Sequence, residues 1–163
     1  MQFPIPIVVA VLVTALAPAT IAAQQPSPKS AVQVAEAVVE IWNTGDYALG
    51  DQLFTPGATL HYRGRDIPID SKSGSDVVRR WRAGFPDFHF TIEDTIVQGD
   101  KVVLRIPFTG THRGTFMGLE PTGKKISVTE TLIVRVKDGQ VAEMWEDYDE
   151  YGMRLQLGLI KAP

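Results

Sequence analysis

The densest run of ionisable and aromatic side chains lies near the carboxyl end: Glu143, Trp145, Glu146, Asp147, Tyr148, Asp149, Glu150 and Tyr151. In a strand, Glu143, Trp145, Asp147 and Asp149 share one parity, which puts Asp149 at the end of the face that carries Trp145. A carboxylate enclosed beside an aromatic ring has its charged form disfavoured and its pKa raised toward the range useful for proton transfer. The competing reading for any of these acids is a solvated strand end or the cap of a following helix, where a carboxylate accepts orphan backbone N–H groups. His61, between Leu60 and Tyr62, is the second candidate, because a histidine serves as base or proton donor near neutrality; the alternative is a packing histidine. His112 lies in the polar run Gly110-Thr111-His112-Arg113-Gly114, either a pocket rim or a plain loop. His89, after Phe88, reads as structural.

Other chemistries lack their residues. With 16 Lys and Arg against 19 Asp and Glu, the net charge is −3, so a broad nucleic-acid surface is not expected. The absence of Cys removes thiol nucleophiles, disulfides and cysteine metal sites. His61, His89 and His112 are far apart without H-x-H or H-E-x-x-H spacing, and neither a G-x-S-x-G elbow nor a phosphate-binding glycine loop occurs. The expectation is acid–base chemistry or ligand binding without metal or cofactor.

The elements that must position these residues follow from periodicity. Val32, Ala35, Val39 and Trp42 recur at helical spacing, predicting an amphipathic helix from Ala31 to near Gly45. Asp46 to Phe54 reads as a second short helix, Ala58 to Tyr62 as a strand and Gly64 to Gly74 as a loop. Ser73 followed by Asp76 predicts a cap for a helix over Asp76 to Ala83, with Val77 and Trp81 on one face. After Pro86 the period becomes two, Gly99-Asp100 and Asp138-Gly139 supply turns, and Pro107 is expected at an edge or bulge. Val102, Leu104, Ile106 and Phe108 share one face. The order of helices first and antiparallel sheet afterwards predicts an α+β layering.

The stretch from Phe3 to Ala23 is nearly all apolar and ends in small residues, as in an export signal cut after Ala22 or Ala23; a retained membrane anchor is the alternative. Residues 24–30 read as a linker and 31–160 as the working domain, secreted or periplasmic once the signal is removed, with no further membrane contact.

The run from Phe85 to Gly158 resembles the SnoaL-like group, also called the polyketide cyclase or predicted ester cyclase family. Its marks are the F-P-D before a strand, G-D-x-V-x-x-R, G-T-H-x-G-x-F-x-G-x-x-P-T-G-K, R-x-x-D-G-x-x-x-E-x-W and the closing D-x-x-G…Q-L-G. The resemblance extends over roughly Ala31 to Gly158. It implies the nuclear-transport-factor-2-like cone, a curved antiparallel sheet packed against helices and enclosing a pocket, commonly dimeric through the sheet. It implies acid–base chemistry on a hydrophobic carbonyl or ester compound without metal or cofactor, ring closure by intramolecular aldol condensation or a related isomerisation, with a pocket Asp moving the proton. The Asp of the closing motif corresponds to Asp149, with Asp147 as an alternative base. His61 matches the family's early D-x-x-x-H element, although Gly57 stands where its acid is expected. In that scheme His61 or Arg105 stabilises developing oxygen charge, and Trp42, Trp81, Phe88, Trp145 and Tyr148 are candidate walls, with His112 at the rim. The expected partners are a small hydrophobic molecule and a second copy of the chain; the alternative function is a secreted small-molecule-binding protein without catalysis.

Overall fold

The computed structural model describes residues 29–162; the expected signal segment and most of the linker lie outside the described residues. Helix α1 (Ala31–Thr44) starts at a capping box, where the Ser30 hydroxyl accepts from the Gln33 backbone and the Gln33 side chain accepts from the Ser30 backbone. It ends at Gly45 in the left-handed conformation. Val34, Ala35, Val38, Val39 and Ile41 form its buried face. The segment expected as a second helix is instead a 3₁₀ turn, Tyr47–Gln52, leading directly into strand β1 (Phe54–Tyr62). Six residues containing a glycine are too few to sustain an α-helix.

The expected loop 64–74 is mostly ordered. Arg63 and Gly64 both take positive φ, the geometry of a primed hairpin turn, and return the chain as β2 (Arg65–Pro68). Helix α2 (Ser71–Gly84) is capped by Asp70, with Ser73 at the reciprocal box position, so it starts five residues earlier than predicted. The Arg82 guanidinium ties α2 to the end of α1 by donating to the Trp42 and Asn43 carbonyls at 2.9 and 3.0 Å.

Seven further strands follow: β3 (His89–Phe90), β4 (Asp94–Gln98), β5 (Lys101–Arg105), β6 (Phe108–Thr111), β7 (Lys125–Val128), β8 (Glu130–Lys137) and β9 (Gln140–Tyr148), then helix α3 (Glu150–Leu157). They form a six-stranded sheet ordered β2-β1-β9-β8-β5-β4 and a three-stranded sheet ordered β3-β6-β7. The α+β layering holds, but the large sheet is mixed, because β1 runs parallel to β9. Each long predicted strand changes sheets, one at Ile106-Pro107 and the other at Thr129. Pro107 has no N–H for a ladder and sits at the first of these crossings.

The inner face of the large sheet, with Val102, Leu104, Leu132, Val134 and Met144, packs beneath α1 as the core. Its outer face carries one cross-strand row, Ile96, Val103, Ile133, Trp145 and His61. Among the described residues no helix is long and apolar enough to cross a membrane.

Candidate active site

One feature of β9 decides which side chains reach the interior. Val136 pairs with Val141 while Arg135 pairs with Glu143, so Ala142 is an extra residue and a bulge. Beyond it the parity is inverted: Met144, Glu146 and Tyr148 turn inward, and Trp145, Asp147 and Asp149 turn away. On β8, Glu130 lies opposite Tyr148 and shares the inner face with Leu132 and Val134.

These residues line a cavity between α1, α2 and the sheet. Its mouth chamber, about 560 Å³, falls within the ~300–1,000 Å³ usual for small-molecule sites. Leu60, Tyr62, Val77, Trp81, Phe116, Glu146 and Tyr148 bound it, and two much smaller spaces, about 20 and 50 Å³, share part of its wall, one beside Trp42, Phe88 and Glu130 and the other beside Leu53 and Val78. Glu146 is in the wall of all three spaces. Trp81 is the hub of the aromatic lining, with Phe116 at 4.7 Å, Phe108 at 5.6 Å and Phe88 at 5.7 Å between ring centres.

Glu130 is only 7% exposed, and Glu146 meets solvent through the cavity. Neither carboxyl has a hydrogen-bonding protein partner among the described residues. Burial, reinforced by the charge of Glu146, pushes the Glu130 carboxyl up to about 9. Burial, with Asp147 nearby, pushes Glu146 up to about 7. The pair therefore holds at least one proton at neutral pH. Beside it the Tyr62 hydroxyl donates to the Tyr148 hydroxyl at 3.0 Å, leaving the Tyr148 proton free for an acceptor in the cavity. Burial, first among the causes, raises both phenols, so each stays a neutral donor.

Of the residues singled out from sequence, Trp42, Trp81, Phe88 and Tyr148 line this space. The leading candidate does not. Asp149 is the N-cap of α3, exposed, its Oδ1 accepting from the Gly152 N–H at 2.8 Å, which corrects its placement as the pocket base. Asp147 is exposed on the outer face, as is Arg105, which pairs with Glu93. His61 also lies outside, stacked on Trp145 at 4.7 Å, with Nδ1 2.8 Å from Asp66. Asp66 on β2 supplies the carboxylate that Gly57 could not. Glu143 stands 3.7 Å from the other ring nitrogen, beyond hydrogen-bond range. His112 is not at the rim but fully buried behind the wall, its Nδ1 accepting from the Thr122 N–H and its ring packed on Phe85 at 5.2 Å. Glu146 belongs to the acidic run at the carboxyl end, but its parity sets it apart from the Trp145 face favoured there; Glu130 stands outside that run, although the alternation Glu130, Leu132, Val134, Val136 does place an acid on an apolar face.

Among curated proteins none matches the chain. Solved structures do. IdmH, a candidate polyketide cyclase of Streptomyces antibioticus, is 31% identical over 80% of this chain and 99% of its own, with a TM-score of 0.70. A candidate polyketide cyclase of Bacillus cereus is 34% identical over 80% of this chain and 82% of its own, TM-score 0.67. AclR of Streptomyces galilaeus, a candidate hydroxylase, is 25% identical over 82% and 84%, TM-score 0.72. The model of the SnoaL-like polyketide cyclase family matches residues 32–157. The helix order, the mixed sheet and this match agree, and the chain belongs to the SnoaL-like polyketide cyclase family.

Proposed function

We propose that the protein is a cofactor-independent acid–base enzyme that closes a ring within a hydrophobic carbonyl compound. The observation that carries this reading is the pair of carboxyls raised by burial, Glu146 in the wall of the apolar chamber with Tyr148, and Glu130 opposite Tyr148 on β8. Ionised Glu146 removes a proton from carbon next to a carbonyl, and the enolate oxygen accepts from Tyr148. The carbanionic carbon then bonds to a second carbonyl carbon of the same molecule, and the new alkoxide takes a proton from the Glu146–Glu130 pair. No atom is lost. The cavity holds the two carbons together, which is a large share of such catalysis.

The first half-step is testable without the natural substrate. Exchange of the α-hydrogens of 2-tetralone in D₂O, followed by NMR, is expected to accelerate with the wild type. Glu146→Gln should lower that rate by ~10²-fold or more with binding retained. Equal exchange by the two proteins removes Glu146 as the base, and binding without exchange by either favours a ligand-binding protein.

The outer face supports a second copy as partner. The apolar row through Ile96, Val103, Ile133 and Trp145 is flanked by Lys101, Arg135 and Glu143 on one side and Asp94, Arg105 and Asp147 on the other. Charges of both signs beside an apolar centre suit self-association about a two-fold axis. Sedimentation should give a dimer for the wild type and a monomer for Ile133→Glu.

A further inference from the structure

The charged side chains lining the mouth chamber are Arg63, Arg80 and Glu146. Their placement is polarised, with the carboxyl in the depth and the two guanidiniums at the opening. Arg63 sits at the left-handed turn between β1 and β2, held by an ion pair with Glu150, its guanidinium 5.5 Å from the Tyr62 ring centre. Arg80 is exposed on α2 and has no salt bridge or hydrogen bond from its side chain to protein among the described residues. Its neighbour Arg79, by contrast, lies 3.7 Å over the Tyr47 ring. Between the arginines the lip is apolar, with Ile67 on one side and Met117, 67% exposed, on the other.

We propose that the cavity takes an amphipathic acid: an apolar carbonyl-bearing body inserted toward Trp81 and Tyr148, with a carboxylate left at the mouth on Arg80, supported by Arg63. A carboxylate carried inward would lose its hydration and meet Glu130 and Glu146, an arrangement of like groups without a cation. At the mouth it keeps water on one side and meets the planar donor fork that suits carboxylates. The polarity of the chamber thus fixes which end of the substrate reaches the proton-transfer groups. Arg80 acts here as an orienting residue, remote from the reacting carbons. The inference rests on the cavity being the substrate site.

The test compares 2-naphthylacetic acid, an anion at pH 7.5, with the near-isosteric 2-naphthylacetamide, both by isothermal titration calorimetry. The acid is expected to bind about tenfold tighter at low salt, an advantage that shrinks in 0.5 M NaCl. Arg80→Gln should reduce it to within twofold with the amide unaffected, and Arg80→Glu should reverse the preference. Because Arg80 is exposed on a helix surface, both variants are expected to fold, which unchanged amide affinity verifies. An amide that binds as tightly as the acid, or an acid preference that survives Arg80→Gln, overturns the proposal while leaving the cavity intact. Failure of both probes to bind overturns the cavity reading as well. An acid preference with α-hydrogen exchange indifferent to Glu146→Gln upholds the substrate class and refutes the catalytic role.

Discussion

Replacing Glu130 by glutamine isolates the cost of keeping an unpartnered acid on the inner face of β8. The folded-state pKa, raised from 4.5 to about 9 by burial and then by Glu146, exceeds the unfolded value. The sign follows from linkage: stability from this group is fully present below about 4.5 and is lost as pH rises toward about 9. At pH 7 the unfolded chain ionises Glu130 freely while the folded chain keeps it protonated. At about 1.4 kcal/mol per pH unit, the penalty is on the order of 3 kcal/mol. Glutamine has nearly the same shape and never ionises. Glu130→Gln is therefore expected to match the wild type in Tm near pH 4 and to exceed it increasingly above pH 5. At pH 7 the gain should be roughly 10 °C, taking ~2–5 °C per kcal/mol for a domain of this size. Thermal unfolding by circular dichroism from pH 4 to 9 measures it. A Tm difference that stays flat with pH, or a wild type that gains on the variant toward alkaline pH, refutes the claim that Glu130 is held protonated by burial.

Asp149→Ala removes the cap of α3 and should cost about 1 kcal/mol in chemical denaturation, with 2-tetralone exchange unchanged. A collapse of exchange with a folded variant would restore Asp149 to the chemistry. Tyr148→Phe should lower exchange by ~10²-fold, since it removes the donor for the enolate, whereas Tyr62→Phe should cost less because its proton goes to Tyr148; equal effects would contradict that order. Gly84→Ala puts a Cβ 2.7 Å from the Phe116 Cβ and should destabilise by ~1–3 kcal/mol. It should also weaken 2-naphthylacetamide binding, because Phe116, which lines the chamber, must shift to make room; unaltered affinity would place Phe116 outside the binding wall.

Much of this architecture was legible because local signals and burial agreed. The three- and four-residue spacing from Val32 to Trp42 gave α1, the even positions from Val102 to Phe108 are all buried, and Asp138-Gly139 turns β8 into β9 with both residues at positive φ. The site was less legible for one geometric reason. Val141 and Met144 are both buried although three residues apart, which a regular strand forbids and the bulge at Ala142 permits. Parity counted through that bulge assigns Trp145, Asp147 and Asp149 to the interior and hides Glu146. Likewise, the parallel pairing of β1 with β9 depends on contacts remote in sequence, and it is what sets His61 on Trp145 at the outer face.

The two faces of β9 show why residue type alone could not choose the reacting group. Glu143 and Glu146 are the same residue three positions apart on one strand. Outside, Arg135 donates to Glu143 at 2.7 Å and holds its carboxyl below the ordinary range, so it remains a fixed charge near neutrality. Inside, Glu146 has aromatic rings and another acid around it, no cation in contact among the described residues, and a carboxyl raised by burial. The outer group, with its histidine, aromatic ring and carboxylates, has the inventory of an active site, but its carboxylates are tied to neighbours, Glu143 to Arg135 and Asp66 to His61 Nδ1, and only His61 Nε2 is left without a partner among the described residues. The inner group is costly to bury and is left unsatisfied, so its proton can be transferred near neutral pH. Environments that push like groups apart, rather than clusters of suggestive residues, assign the acid and the base.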